Sequence, residues 1–149
     1  MQEFIESGVK LTGAVKIDRF NSDGELVETR DIKNLVVTAG KNFIASRMAG
    51  TSAAVMSHMA VGTSGTSAAV GDTGLGAQVG ITSLTGSTAS TNTVTYTATF
   101  AAGTGTGALV EAGIFNASSS GTLLCRTVFP VVNKAAGDVI SVTWVVTVS

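Results

Sequence analysis

The most regular stretch of the chain is Thr93 to Phe100, where Val94, Tyr96, Ala98 and Phe100 alternate with Thr93, Thr95, Thr97 and Thr99. A period of two sends one row of side chains into a core and leaves the other outside as a threonine ladder. Val139 to Val148 repeats the pattern, with Ile140, Val142, Trp144, Val146 and Val148 on one face and Ser141, Thr143, Val145 and Thr147 on the other. Trp144 is the expected core anchor, since an indole carries a large apolar area. Val9 to Phe20 alternates as well, and Asn21-Ser22-Asp23-Gly24 supplies turn residues before Glu25 to Thr29, so this region reads as a hairpin.

Further strands are expected at Asn34–Val37, Met56–Val61, Val79–Leu84, Leu109–Phe115 and Thr122–Phe129. One convincing helix follows Thr38, the expected cap, with Phe43, Ile44, the Arg47 stem and Met48 as its buried stripe and Gly50 as its stop. Thr73 to Gln78 has room for one more helical turn. Gly62 to Gly74 reads as a Gly, Ser, Thr and Ala loop that buries little, and Gly103 to Gly107 as a flexible hairpin connection. About eight short strands separated by turn residues indicate a single mainly β domain over residues 1–149, an antiparallel β-sandwich of jelly-roll type with one short helix. Residues 1–33 form its charged N-terminal strand and hairpin region. The hexapeptide GTSAAV occurs at Gly50–Val55 and Gly65–Val70, too few copies for a repeat architecture.

Charge changes this picture more than composition does. Only 13% of the 149 residues are charged, against roughly 25% in ordinary globular domains, and the net charge is −1. Of nineteen formal charges, fourteen lie in residues 1–47, leaving Asp72, Glu111, Arg126, Lys134 and Asp138 for the rest. No basic footprint for nucleic acid is present, and no run is long and apolar enough for a spanning helix, so neither nucleic acid nor membrane is an expected partner. The segment from Met1 to Lys10 carries Glu3 and Glu6 and shows no secretory pattern, which suits folding in a reducing cytoplasm. A surface this poor in charge suits a subunit covered by neighbours, because interface centres are depleted in charge.

Chemical motifs fail one by one. One cysteine, Cys125, and one histidine, His58, exclude an internal disulfide and supply too few ligands for zinc. Gly62-Thr63-Ser64-Gly65-Thr66 lacks the last glycine of a nucleophile elbow. His58 with Asp72 or Asp138 as orienter is the one catalytic arrangement to weigh, and a strand or contact role for His58 is the simpler reading. Gly103-Thr104-Gly105-Thr106-Gly107 precedes no lysine or helix start, and Ala39-Gly40-Lys41-Asn42 lacks the rest of a phosphate loop. Asp18, Asp23, Glu25, Glu28 and Asp31 are interleaved with Lys16, Arg19, Arg30 and Lys33, which reads as a salt-bridged hairpin. Glu111, isolated among uncharged residues, is expected to pair with Arg126 across strands, or else with a neighbouring subunit. Cys125 is expected to be a buried apolar residue, and Asn116-Ala117-Ser118 a turn. No catalytic residue, metal, cofactor or small-molecule substrate is expected.

The order Glu111-Ala112-Gly113-Ile114-Phe115-Asn116, a small-residue turn, Arg126-Thr127-Val128-Phe129-Pro130, then Val142-Thr143-Trp144 resembles virion structural proteins of tailed bacteriophages. It is similar to the β-sandwich modules of capsid decoration (cement) proteins and tail fibres, over about 60 residues. The resemblance implies a subunit that binds the major capsid protein from outside the shell, commonly as a homotrimer, on a virion assembled in the host cytoplasm. A tail-fibre or tail-associated adhesion role is the alternative. A small hydrolase is the third class, and it requires an exposed His58 beside a serine in a cleft. Arg19, Phe20, Arg47, His58, Arg126 and Lys134, large or charged amid small neighbours, are the candidate interface residues.

Overall fold

A computed structural model describes residues 9–51 and 53–149. The reading of residues 1–8 and of Ser52 in the first GTSAAV copy lies outside the described residues. The described residues form nine antiparallel strands and one helix. These are β1 (Leu11–Phe20), β2 (Leu26–Val36), α1 (Thr38–Met48), β3 (His58–Gly62), β4 (Gln78–Ser83), β5 (Gly86–Ser90), β6 (Thr93–Phe100), β7 (Gly107–Phe115), β8 (Leu123–Lys134) and β9 (Val139–Val148). They make one sheet in the order β4-β3-β7-β8-β2-β1-β9-β6-β5, curled into a half-barrel.

Two places explain why one sheet encloses a core. β2 pairs with β1 from Leu26 to Asn34 and with β8 at Leu35 and Val36, so a single strand belongs to both halves. The expected strand at Asn34–Val37 is therefore the end of the hairpin strand. At the other side, edge strands β4 and β5 are separated only by Leu84 and Thr85, whose N–H groups donate to Ser57 O and Thr97 O in opposite halves. The inner face collects Val15, Ile17, Met59, Val61, Phe100, Ile114, Ile140, Val142 and Trp144, each at most 2% exposed.

The hairpin forms as its residues dictate: Asn21 Oδ1 accepts from Asp23 N–H and Glu25 N–H at 3.0 Å, and Gly24 takes φ +79°. The helix spans its expected range but not with its expected stripe. Val37, not Thr38, is the N-cap residue, and no side chain caps the helix. Phe43 and Ile44 pack on the core while Arg47 and Met48 are exposed, Met48 at 85%. Close approach comes instead at Gly40, where a Cβ would overlap the Leu124 carbonyl. Thr73–Gln78 contains no helical turn. Ala101–Thr106 is no hairpin but a crossover between the halves, with Gly103 N–H bonded to Ala136 O.

Candidate functional site

Outside the core, the other face of β3, β7 and β8 is covered by the segment Thr63–Ala77, a strap rather than a free loop. A register shift between Leu109 and Glu111 in the β7–β8 ladder precedes the point where Glu111 and Arg126 meet. Arg126 Nη2 lies 2.8 Å from Glu111 Oε2, so the expected pairing is intramolecular. The same guanidinium donates to Asp72 Oδ2 at 3.1 Å and to Thr66 O at 2.9 Å. Glu111 in turn accepts from Gly76 N–H at 3.1 Å and Ala77 N–H at 2.9 Å. Both partners are buried, at 0% and 2% exposure. A Cβ at Gly62 would overlap the Glu111 carboxylate, and one at Gly113 would crowd Leu75, so these glycines make room for the strap. Leu75 then packs with Ala60, Phe115 and Leu123 in a second, smaller apolar cluster.

A second ionic group closes the end of the half-barrel where β1 meets β2. Arg19 donates to Glu28 Oε1 at 2.9 Å and to Asp138 Oδ2 at 3.1 Å, and Arg30 reaches Glu28 Oε2 at 2.7 Å. Lys134 Nζ donates to Ala101 O at 3.0 Å. The Ala135 N–H, aided by the Arg19 guanidinium, holds the Asp138 carboxyl below its ordinary range. Burial lowers the Lys134 ammonium, against the opposing pull of Asp138. The Glu28 carboxylate raises Arg19. Cys125 is fully buried, and burial pushes its thiol far above the usual range, as suits a packing residue.

The six interface candidates thus scatter. Arg19 and Lys134 meet around Asp138. Lys134 and Arg126 are each 2% exposed, so as docking groups they are corrected: their charged heads serve the subunit's own interior. Phe20 ends β1 opposite Leu26 and Val139, half-buried. Arg47 is exposed and donates to Thr51 O and Ala53 O, closing the turn after α1. His58 is half-buried between Ser57 Oγ, 2.8 Å from Nδ1, and Ser83 Oγ, 3.5 Å from Nε2. Neither proposed orienter reaches it: Asp72 is held by Arg126, and Asp138 stands at the opposite end of the sheet.

The pairing of Asp72 with Arg126 and the strap it fastens are what sequence reasoning missed. The signal was available, because Asp72 is the single charge between Met48 and Val110. No family model matches the chain, and no curated protein or solved structure matches it either. No helix among the described residues is long and apolar enough to cross a membrane.

Proposed function

We propose that this protein is a virion structural subunit of a tailed bacteriophage that decorates and reinforces the capsid from outside, as a homotrimer on the major capsid protein. On this reading the curled sheet serves as the jelly-roll-like module of such subunits. One observation carries it. All five charged residues after Met48 are paired or hydrogen-bonded within the subunit, and of these only Asp72, a quarter exposed, reaches the surface built by β3 to β9. That surface exposes Val55, Val70, Val79 and Val131 at 43 to 60%. Free monomers stay apart through charge, and a face lacking it suits burial against neighbours. The exposed ions of the β1–β2 hairpin, Lys16, Asp31 and Lys33 among them, would set register on the shell more than affinity. Trimerisation turns three weak dockings into one strong one, and binding only the assembled lattice stabilises it.

The test is electron microscopy of phage particles with and without the protein, together with sedimentation of the free chain. Added density outside the head and a trimeric mass support the reading. Density confined to the tail favours the tail-associated alternative, and a monomer that ignores intact shells defeats both.

A further inference from the structure

The strap divides two depressions that share Thr73, Gly74 and Leu75 as their common ridge. One, about 330 Å³, has an apolar floor of Ile81 and Phe115 and a wall of Ser118, Ser119 and Ser120. The other, about 480 Å³, holds Asp72 and Arg126. The serine wall is prebuilt: Thr122 N–H donates to Asn116 Oδ1 at 2.7 Å, Asn116 Nδ2 donates to Ala54 O, and Ser120 sits at φ +54°. The hydroxyls of Ser118 to Ser120 are exposed and find no side-chain partner among the described residues.

We propose that these adjacent depressions bind two consecutive rings of a neutral oligosaccharide lying across the ridge. The first depression has no charged residue, and in the second the Arg126 guanidinium is already bound by Asp72 and Glu111, so neither offers a free cation to an anionic ligand. A sugar ring presents an apolar C–H face and a rim of hydroxyls, which matches a small apolar floor of half-buried Ile81 and largely buried Phe115 beneath serine, threonine and Gln78. One unspent group completes the match. Asp72 uses Oδ2 for both its bonds, to Arg126 and to Ala69 N–H, which leaves Oδ1 to accept from a hydroxyl. This inference goes beyond the shell-binding reading and stands or falls separately from it.

The glycines supply clean variants. A Cβ at Gly74 meets nothing within 4 Å and its φ is ordinary, so Gly74→Phe fills the ridge between the depressions without strain. Gly65 is equally free and lines neither depression, so Gly65→Phe is the control. The full chain, isotopically labelled, is titrated with maltotriose, cellotriose and triacetylchitotriose to roughly 20 mM, enough to reveal a millimolar site. The expected result is saturable amide shifts confined to Gly71–Gln78 and Ser118–Gly121 for at least one sugar. Gly74→Phe weakens that binding by about tenfold or more, and Gly65→Phe leaves it unchanged. No saturating shifts with any sugar, shifts elsewhere, or full binding by Gly74→Phe would overturn the proposal. So would binding of a neutral Ser/Thr-rich peptide with no response to the sugars.

Discussion

Replacing Arg126 with methionine probes the strap clamp most directly. The substitution keeps an unbranched apolar stem and deletes the cation. Glu111, 0% exposed, is then left with two backbone N–H donors, from Gly76 and Ala77, and no counter-charge. Removing one partner of a buried ion pair costs about 3–5 kcal/mol, because the survivor remains desolvated. Asp72 adds little to this, since its side chain is 25% exposed and water replaces the lost contact. At about 2–4 °C per kcal/mol for a domain of this size, the melting temperature falls by roughly 10 °C. Hydrogen exchange at Gly76 and Ala77 rises with it, as the strap loosens.

A double-mutant cycle separates the ion pair from simple loss of packing. Glu111→Leu also removes the acceptor for Gly76 and Ala77, but both residues are exposed enough for water to take over. The double variant Glu111→Leu/Arg126→Met therefore buries no charge and should be less destabilised than Arg126→Met alone, since apolar replacement of a whole buried pair is often neutral. Urea unfolding of the four proteins gives the coupling energy, expected at about 2 kcal/mol or more. An additive cycle, or a loss below about 1 kcal/mol in Arg126→Met, would refute the clamp.

Three further outcomes follow from other parts of the fold. Because Asp138 titrates below its ordinary value of 3.8 when folded, its contribution is complete above that value and is lost as pH falls through the folded one. Asp138→Asn should accordingly cost stability at pH 7 and little at pH 2, measured by urea melts across that range. Thr91 lies in the β5–β6 turn at φ +51°, where a β-branched residue is strained, so Thr91→Gly should raise stability by about 1 kcal/mol in the same assay. Trp144, the chain's one tryptophan, is 0% exposed with its Nε1–H unpartnered. Its emission should be blue-shifted in the native protein and shift red in a single transition on unfolding, while Trp144→Ala costs about 3–5 kcal/mol; native emission like that of free tryptophan would contradict this core.

Much of the fold was legible where one face of a strand meets the core and the other meets water. β6 and β9 announce themselves by strict alternation, and Trp144, the hairpin turn and Cys125 fall where that pattern places them. β5, Gly-Ser-Thr-Ala-Ser, has no apolar alternation and was missed, since it is a strand through its pairing with β6 rather than through burial. β2 looked like two strands because its outer half is charged and its end is apolar, which reflects a change of neighbours from β1 to β8. The helix stripe misled for a related reason: contact at Gly40 is made by backbone, which leaves no hydrophobic signature.

The candidate site was half legible, and the half that was missed follows the same logic as the half that was found. Glu111 stood out because no charge lay near it in sequence, and the structure pairs it with Arg126 as that isolation implied. Asp72 is just as isolated, yet its Gly/Ser/Thr/Ala surroundings suggested a loop with nothing to bury. Exposed charges are worth little, whereas Asp72 and Glu111, each kept alone within an uncharged stretch, both have Arg126 as a specific partner. In this chain that argument extends to Lys134 and Asp138 as well, and the consequence reaches function. Ionic groups here fasten a strap and close one end of the half-barrel, and the outside of β3 to β9 is left to hydroxyls, glycines and valines. If the proposed docking on a shell holds, such a surface would meet its partner through shape and hydrogen bonding, and raised salt should weaken attachment through the charged hairpin while leaving contacts through this face in place.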